Sequence, residues 1–299
     1  MTTKPYKPNV FIPGAPKCAT TSLTAWLAEH RNCYVSPKKE PHFFSNFLRN
    51  DMTIEEYESL FWDVQSHHRV IIDASTSYLS NEYALQKLLR YNPTAKFILM
   101  FRNPIELSYA LHGENLYLGR ENEPDFEKAW WLQEKRKKGK NIPHSCQNPE
   151  MLFYRDQCLL GTSFSKLLKL TNISYVYWIF LEDLRIDARN CYLKVLEFCG
   201  LEDDGRVEFP SFNQAKFHRF PRLNQIFRTI GRFRSRIGLP GLGFRKTFNR
   251  FSHIEQKRSP LRKEFECVLY ESFKEEIDLL ASLTGRDLSH WIPDNYKSR

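Results

Sequence analysis

A lysine and a run of hydroxyl side chains stand close together near the start of the chain. The lysine is Lys17, and the hydroxyls belong to Thr20, Thr21 and Ser22. They follow an apolar stretch at residues 9–12 that is typical of a buried strand, and they open an apolar pattern at residues 20–30 that is typical of a helix. The N-terminus of a helix attracts anions, because its first backbone N–H groups point outward and the helix dipole is positive there. The loop therefore predicts a site for a phosphate or a similar anion.

Two other interpretations of this loop remain open. An ATP- or GTP-binding loop has the pattern G-x-x-x-x-G-K-[ST], in which the lysine directly precedes the hydroxyl residue that holds magnesium. Here Cys18 and Ala19 separate Lys17 from Thr20. A kinase that uses ATP is therefore the less favoured alternative, and magnesium dependence distinguishes the two. A plain helix cap by Thr20 or Ser22 would leave Lys17 and the small residues around it unexplained.

A second candidate for anion binding is Arg102, which directly follows an apolar run at residues 96–101. Residues at the carboxyl ends of parallel strands line the crevice in which such sheets bind ligands. Arginine binds a phosphate through two parallel N–H groups, which lysine cannot do. Pro104 then marks the start of the next helix. We expect Arg102 to bind a phosphate, and a structural salt bridge is the alternative.

Residues 36–44 bring two lysines, a carboxylate and an imidazole together. These are Lys38, Lys39, Glu40 and His42, and two phenylalanines follow directly. A carboxylate or imidazole can remove the proton of an attacking hydroxyl, which accelerates such a reaction by roughly 10²–10⁴. We expect Glu40 to be this base. The alternative is an exposed glutamate beside a buried histidine, although the phenylalanines favour an anchored and partly desolvated base.

The three segments resemble those of the sulfotransferases that use 3′-phosphoadenosine-5′-phosphosulfate (PAPS), in a soluble form of bacterial type. The first loop matches the family's P-K-x-[GA]-T-[TS]-[SW]-L, residues 102–106 match R-[ND]-P-x-[ED], and residues 39–44 match the K-E-x-H-F-F of carbohydrate and heparan-type enzymes. The resemblance implies transfer of a sulfuryl group to a hydroxyl or amine without a metal, with adenosine 3′,5′-bisphosphate as the second product. The acceptor it implies is a carbohydrate, or a glycosylated or hydroxylated metabolite.

The same resemblance assigns roles to individual residues. Lys17 stabilises the bridging oxygen as the sulfur–oxygen bond breaks, Glu40 takes the acceptor proton with His42 beside it, and Arg102 binds the 3′-phosphate. The residues expected to contact PAPS are Pro16, Lys17, Cys18, Ala19, Thr20, Thr21, Ser22, Arg102 and Ser108. The residues expected near the acceptor are Lys38, Lys39, Asp73, Ser75 and Tyr78, of which the last three belong to a stretch similar to the family's G-E-[KA]-S-P-x-Y-L.

Three positions depart from the family patterns. Ala110 stands where a serine usually contacts the 3′-phosphate, so Ser108 is a weak substitute and a further donor from the basic residues 216–246 is expected. Ala74 stands where some glycan enzymes place an active-site lysine, and Lys38 or Lys39 could supply that charge. Thr76 replaces a proline.

Apolar strand-like runs and helical patterns alternate along the chain. The expected strands lie at residues 9–12, 33–35, 69–72, 96–101 and 175–181, and the expected helices at 20–30, 81–91, from 104 onward and 182–199. Such alternation predicts a parallel sheet covered on both faces. We expect an α/β three-layer sandwich with a central parallel sheet of about five strands, and the resemblance implies a P-loop-NTPase-like fold.

One domain is predicted over residues 1–299. Its cofactor-binding core would span about 8–212, and a basic loop and helices would follow at about 213–299. Further helices are expected outside the sheet at residues 125–138 and 260–283. The basic region 213–253 is predicted to be a loop with one short helix at residues 223–233.

Charge and cysteine content narrow the class of protein further. The 44 basic residues exceed the 35 acidic ones, and the net charge of +9 fits an anionic ligand, a solvated basic surface or nucleic acid. A nucleotide- or nucleic-acid-binding module without catalysis is therefore the second alternative, although we expect no nucleic-acid partner.

The seven cysteines show no zinc-binding pattern, so free thiols are expected. No apolar run could span a bilayer and the first residues lack a signal peptide, so we expect a cytoplasmic protein without stable membrane insertion.

Overall fold

A computed structural model describes residues 6–46, 51–211 and 259–297, together with the backbone of two short strands at 216–218 and 253–255. The helix expected at residues 223–233, and the basic region 213–253 apart from those strands, lie outside the described residues. Within the part of the chain that is described, no helix is both long enough and apolar enough to cross a membrane.

The centre of the fold is a parallel sheet of five strands. They are β1 (Val10–Gly14), β2 (Cys33–Val35), β3 (Val70–Asp73), β4 (Lys96–Phe101) and β5 (Val176–Phe180). Their order is β2-β3-β1-β4-β5, and all neighbours are parallel. β1 is central, because Val10 lies opposite Ile72 on one side and opposite Lys96 on the other. The predicted α/β fold with a central parallel sheet is confirmed.

Helices follow the strands along the described part of the chain. They are α1 (Thr20–Ala28), α2 (Ile54–Ser59), α3 (Glu82–Tyr91), α4 (Pro104–Tyr117), α5 (Phe126–Trp131), α6 (Gln133–Lys137), α7 (Tyr154–Gln157), α8 (Leu160–Leu170), α9 (Leu181–Ile186), α10 (Ala188–Cys199), α11 (Lys263–Thr284) and α12 (Asp294–Lys297). Short 3-10 turns lie at Pro149–Leu152, Ile173–Tyr175 and Ser289–Trp291. The strands β6 (Lys216–His218) and β7 (His253–Glu255) pair antiparallel. The sequence patterns predict only a loop there.

Two of the expected helices are divided, and a side-chain cap explains one of these divisions. The single helix expected at residues 182–199 is two helices, because Asp187 leaves helical geometry and its carboxylate accepts a hydrogen bond from Asn190 N at 2.9 Å. This carboxylate satisfies an N–H group that has no partner within α10. The helix expected at residues 125–138 is also two helices, which meet at Leu132. The helix expected from residue 260 begins at Lys263.

Aromatic side chains pack against the central strand. Phe11 of β1 is fully buried, and its ring centroid lies 6.1 Å from that of Phe97 and 6.3 Å from that of Phe44. Phe44 also contacts Tyr57 of α2, with the centroids 5.2 Å apart. Edge-to-face and offset pairs of this kind add about 0.5–1.5 kcal/mol beyond burial alone. Phe44 therefore anchors the segment that carries Glu40 to the core.

The described residues form two compact units. The first contains the five-stranded sheet and comprises residues 6–46, 51–107, 159–211 and 274–291. The second comprises residues 108–158, 216–218, 253–255, 259–273 and 292–297. The single sulfotransferase domain over residues 1–299 stays a prediction.

Candidate active site

The loop between β1 and α1 turns around two residues with positive φ. Lys17 (φ 60°) and Ala19 (φ 65°) adopt the left-handed conformation, which is uncommon for residues other than glycine. Ala19 caps α1 without a side-chain hydrogen bond, so no side-chain acceptor of the cap residue competes with a ligand at the first turn. The start of the loop is tied to the sheet, because Ala15 N donates to Met100 O at 2.8 Å. The fold thus provides a fixed helix N-terminus, with the partly exposed Lys17 in the same loop, as an anion site requires.

Several residues of this loop turn their side chains inward. Cys18 is fully buried, and Thr20 and Ser22 are 6% and 2% exposed. The partly exposed positions are Pro16, Lys17, Ala19 and Thr21. Burial raises the pKa of the Cys18 thiol to about 12, although the positive charge of Arg102 opposes this rise. Cys18 is therefore a packed thiol and not a nucleophile, and what it can offer an anion is its backbone.

Arg102 links the end of β4 to the same loop. Its Nη1 donates to Lys17 O at 3.2 Å, while Nε and Nη2 donate to Glu106 Oε2 at 3.0 and 2.8 Å. The salt bridge that the sequence leaves as an alternative is therefore present, one helical turn away on α4. This salt bridge holds the guanidinium group of Arg102 at the loop. A bound phosphate would either share the guanidinium group with the half-exposed Glu106 carboxylate or displace that carboxylate from it.

The segment after β2 also reaches the loop. Lys39 Nζ donates to Thr21 Oγ1 at 3.0 Å. Lys38 is exposed, and its carbonyl accepts a hydrogen bond from Ser36 Oγ at 3.0 Å. Of the two lysines that the sequence places near the acceptor, Lys39 thus lies at the expected phosphosulfate loop.

Glu40 and His42 contact each other as the sequence-based hypothesis of a base with an adjacent histidine requires. His42 Nε2 lies 3.1 Å from Glu40 Oε2, and His42 Nδ1 lies 2.7 Å from Ser77 Oγ. Both Glu40 (φ 54°) and His42 (φ 53°) have positive φ. Their side chains are 29% and 17% exposed, so the pair can meet an acceptor and is still held by the protein.

The buried carboxylate of Asp73 organises the loop after β3. It accepts hydrogen bonds from Tyr57 OH (2.8 Å), Tyr78 OH (3.0 Å) and Ser75 Oγ (2.6 Å). Burial raises the pKa of Asp73, and the hydrogen bond from Ser75 opposes that rise. Burial, together with the Asp73 charge, also raises the pKa of Tyr57 and of Tyr78 well above the usual value, so both phenols remain donors.

This network revises the expectation that Asp73, Ser75 and Tyr78 line the acceptor cleft. All three side chains have no exposed surface, so in this conformation they cannot touch an acceptor. Ser75 Oγ instead accepts a hydrogen bond from His42 N at 3.0 Å. The three residues support the segment that carries Glu40 and His42.

Neither position considered on α4 offers a side chain for the 3′-phosphate. Ser108 is fully buried and Ala110 is 4% exposed. A ligand could reach Ser108 only if the covering side chains moved. The further donor expected from residues 216–246 falls on side chains outside the described part of the chain.

Three residues of this site escape sequence reasoning. Ser77 occupies the variable position of the family's S-P-x-Y pattern, so the pattern gives no signal for it. Tyr57 lies on α2, which the sequence patterns do not predict. Glu106 was expected only as part of a motif. It lies in the first turn of α4, and its spacing of four residues from Arg102, which precedes the helix, is the signal that could have indicated their contact.

One comparison with a solved structure identifies the fold. The crystal structure of a sulfotransferase from Alicyclobacillus acidocaldarius superposes with a TM-score of 0.70 over 96% of this chain and 99% of that chain, at 22% sequence identity. The sulfotransferase domain of an olefin synthase from Synechococcus gives a TM-score of 0.40 over 68% and 77% of the two chains, at 17% identity. No protein-family model matches the chain.

One curated protein is also similar in sequence. The membrane-associated sulfotransferase kil1 of Dictyostelium discoideum is 29% identical over 126 residues, which are 40% of this chain and 26% of that protein. This chain therefore matches about a quarter of the length of that relative. The P-loop-like α/β fold is that of the sulfotransferases, and the resemblance drawn from the sequence motifs is confirmed at the level of the fold.

Proposed function

We propose that this protein is a sulfotransferase that moves a sulfuryl group from PAPS to a hydroxyl or amine of an acceptor. The observation that carries the proposal is the convergence of separate segments on one helix N-terminus. Arg102 donates to Lys17 O at 3.2 Å, and Lys39 donates to Thr21 Oγ1 at 3.0 Å. Three cations around outward-pointing N–H groups suit a donor that carries phosphate and sulfate groups.

When PAPS is bound, the acceptor oxygen or nitrogen forms a bond to sulfur while the bond from sulfur to the bridging oxygen breaks, and its electron pair stays on the phosphate of adenosine 3′,5′-bisphosphate. Glu40 takes the proton that the acceptor loses. Lys17 and the N-terminus of α1 stabilise the negative charge that develops on the leaving phosphate. Arg102 binds the 3′-phosphate and thereby orients the donor.

The acceptor proposed is a carbohydrate or a hydroxylated metabolite. Support comes from the K-E-x-H-F-F resemblance at residues 39–44 and from the contact between Glu40 and His42, which gives that motif a base with a fixed partner. A reaction in the cytoplasm, without nucleic acid and without a metal, belongs to the same proposal.

The first test compares adenosine 3′,5′-bisphosphate with adenosine 5′-phosphate in calorimetric titrations without magnesium. We expect the bisphosphate to bind more tightly. The variant Arg102→Ala should lose roughly 10- to 100-fold in bisphosphate affinity, because a charge-assisted hydrogen-bonded pair contributes about 1.5–3 kcal/mol. Affinity for the monophosphate should change little.

Arg90→Ala is a matched control, because Arg90 is an exposed arginine on α3. It should bind both nucleotides as the unmodified protein does. Equal affinity for the two nucleotides in the unmodified protein would contradict the proposal. Magnesium-dependent binding of ATP would then favour the kinase, and steeply salt-dependent binding of oligonucleotides would favour the nucleic-acid-binding module.

A further inference from the structure

We propose that Ser77 is a positioning residue, which fixes the ring of His42 so that Nε2 donates to Glu40 and holds that carboxylate in place as the base. The assignment of Glu40 as the base rests on the proposed function. The position of the His42 ring does not depend on it.

The geometry gives His42 one partner at each ring nitrogen. Ser77 Oγ lies 2.7 Å from Nδ1, and Glu40 Oε2 lies 3.1 Å from Nε2. Both distances are within hydrogen-bonding range. A ring turned by about half a rotation would place carbon atoms opposite both partners, so the pair of contacts selects one orientation.

The chemistry of the two partners determines where the proton lies. An ionised carboxylate only accepts hydrogen bonds, so Nε2 must carry a proton to bind Glu40. In neutral His42, Nδ1 then has a lone pair and accepts from the Ser77 hydroxyl. If His42 gains a second proton, the hydroxyl can rotate and accept from Nδ1 instead. Serine thus supports the same ring orientation in both protonation states.

The backbone around His42 shows that this arrangement is imposed by the fold. Glu40 and His42 both have positive φ. Such conformations cost about 1–3 kcal/mol each and persist only where the surrounding structure enforces them. Ser75 fixes the backbone, since its Oγ accepts from His42 N at 3.0 Å and donates to Asp73 at 2.6 Å. Ser77 fixes the ring from the same loop.

The sheet explains why these two loops meet. β2 and β3 are parallel neighbours, with Val35 opposite Ile72. The chain leaves both strands at the same edge of the sheet, because parallel strands share their carboxyl ends. The segment with Glu40 and His42 therefore runs beside the loop with Ser75 and Ser77.

The test measures the ¹⁵N chemical shifts of the His42 ring, assigned by their loss in His42→Gln. In the unmodified protein at a pH where the ring is neutral, we expect a protonated Nε2 and a hydrogen-bonded, unprotonated Nδ1. In Ser77→Ala the Nδ1 resonance should move towards the position of an unbonded nitrogen, and signals of the second tautomer should appear. Ser77→Thr, which keeps the hydroxyl, should retain the original spectrum. Ser80→Ala, which removes an exposed hydroxyl three residues further on, is the control.

A second measurement follows the slow hydrolysis of PAPS, in which water is the acceptor. Ser77→Ala should lower kcat by about tenfold while KM for PAPS changes less than about twofold, because the donor site is intact and only the base is misplaced. Ser77→Thr should recover most of the rate. Thermal unfolding of each variant identifies a general loss of folding.

The outcomes separate the two proposals. Unchanged His42 shifts in a folded Ser77→Ala variant would overturn the role of Ser77, even if the protein transfers sulfuryl groups. The expected shifts in a protein that binds adenosine 3′,5′-bisphosphate no better than adenosine 5′-phosphate would support the role of Ser77 as a positioning residue and count against the proposed function. Altered shifts with an unchanged kcat would contradict the claim that the ring orientation serves the base.

Discussion

Arg136 and Glu121 form an ion pair in which both side chains are completely buried. Arg136 Nη1 and Nη2 donate to the two carboxylate oxygens of Glu121, each at 2.7 Å, and Tyr154 OH donates to the same carboxylate at 2.7 Å. Burial opposes ionisation of Glu121, but the hydrogen bonds and charge of Arg136 outweigh it and hold the pKa of Glu121 below its usual value. Glu121, Arg136 and Tyr154, all in the second compact unit, therefore form a buried charged network.

Removing the arginine alone should destabilise the protein strongly. Arg136→Met leaves the Glu121 carboxylate buried without its counter-charge, which costs about 3–5 kcal/mol. The double variant Arg136→Met, Glu121→Leu should recover much of that loss, because no charge remains to be desolvated. Urea unfolding followed by tryptophan fluorescence measures both variants. Equal midpoints for Arg136→Met and the unmodified protein would contradict the buried pair.

The same pair predicts how stability depends on pH. A carboxyl whose folded pKa is lowered contributes stability above its unfolded pKa, and this contribution is lost as the pH falls through the folded pKa. The advantage of the unmodified protein over Glu121→Gln should therefore be complete at neutral pH and should shrink below about pH 4.3. Unfolding midpoints measured from pH 7 down to pH 3 test this. An advantage that is constant over that range would show that the ionised form of Glu121 is not the stabilising one.

Gly161 of α8 lies directly against α11, and its replacement by alanine should reduce stability. A Cβ atom there would stand 2.6 Å from Glu276 O and 3.0 Å from Leu279 Cβ. In an exposed helix the same change stabilises by up to about 1 kcal/mol, whereas overpacking costs about 1–3 kcal/mol. The sign of the change in Tm thus decides whether the two helices approach this closely. A rise in Tm for Gly161→Ala would refute the close approach.

Gly14, the last residue of β1, should also not tolerate a side chain. It has φ 143°, and a Cβ would lie 2.9 Å from Thr76 O. Gly14→Ala should therefore displace the loop at residues 75–79 and lower both Tm and affinity for adenosine 3′,5′-bisphosphate. Gly200→Ala is the matched control, because Gly200 has φ 72° but no atom within 4 Å of an added Cβ. It should lower Tm only through backbone strain of about 1–3 kcal/mol, and it should leave nucleotide affinity unchanged.

Cys18 should resist alkylation although it lies in the proposed donor loop. Burial raises its pKa to about 12, so at pH 8 the reactive thiolate is rare and the sulfur is also covered. Native protein treated with iodoacetamide and analysed by peptide mass spectrometry should carry no label at Cys18, and unfolded protein should carry it. Rapid labelling in the native state, suppressed by nucleotide, would instead indicate an exposed thiol in the site.

The sequence predicts the sheet well because each strand is a short, continuous apolar run. The run at residues 96–101 matches β4 without error, and the runs at 9–12 and 175–181 differ from β1 and β5 by one or two residues at an end. The effect of a single polar residue on where a helix ends is harder to predict. Asp187 divides the expected helix at 182–199 because it caps the second helix. A single aspartate within a helical pattern does not by itself predict such a cap.

Sequence motifs identify the candidate site residues, but they do not identify the residues that hold those side chains in place. Lys17, Glu40, His42 and Arg102 are recognisable because their residue types serve anion binding and proton transfer. Asp73, Ser75 and Tyr78 are buried around a hydrogen-bond network that also includes Tyr57 of α2, and no local pattern in the sequence shows that contact. The contact between Ser77 and His42 depends in the same way on two loops that meet only through the pairing of β2 with β3.

The positions of β1 and β2 in the sheet have a consequence for the exchange of backbone amide hydrogens with solvent. The loop at residues 15–19, which is proposed to bind PAPS, follows β1, a strand that is hydrogen-bonded on both sides. Glu40 and His42 instead follow β2, a three-residue strand at the edge of the sheet. Edge segments with few bonded neighbours open locally at a lower free energy than central strands. Deuterium should therefore enter the amides of residues 33–42 well before those of residues 10–14, and equal rates would contradict this. In the proposed enzyme, the segment that carries the base Glu40 would thus open more readily than the loop expected to hold PAPS.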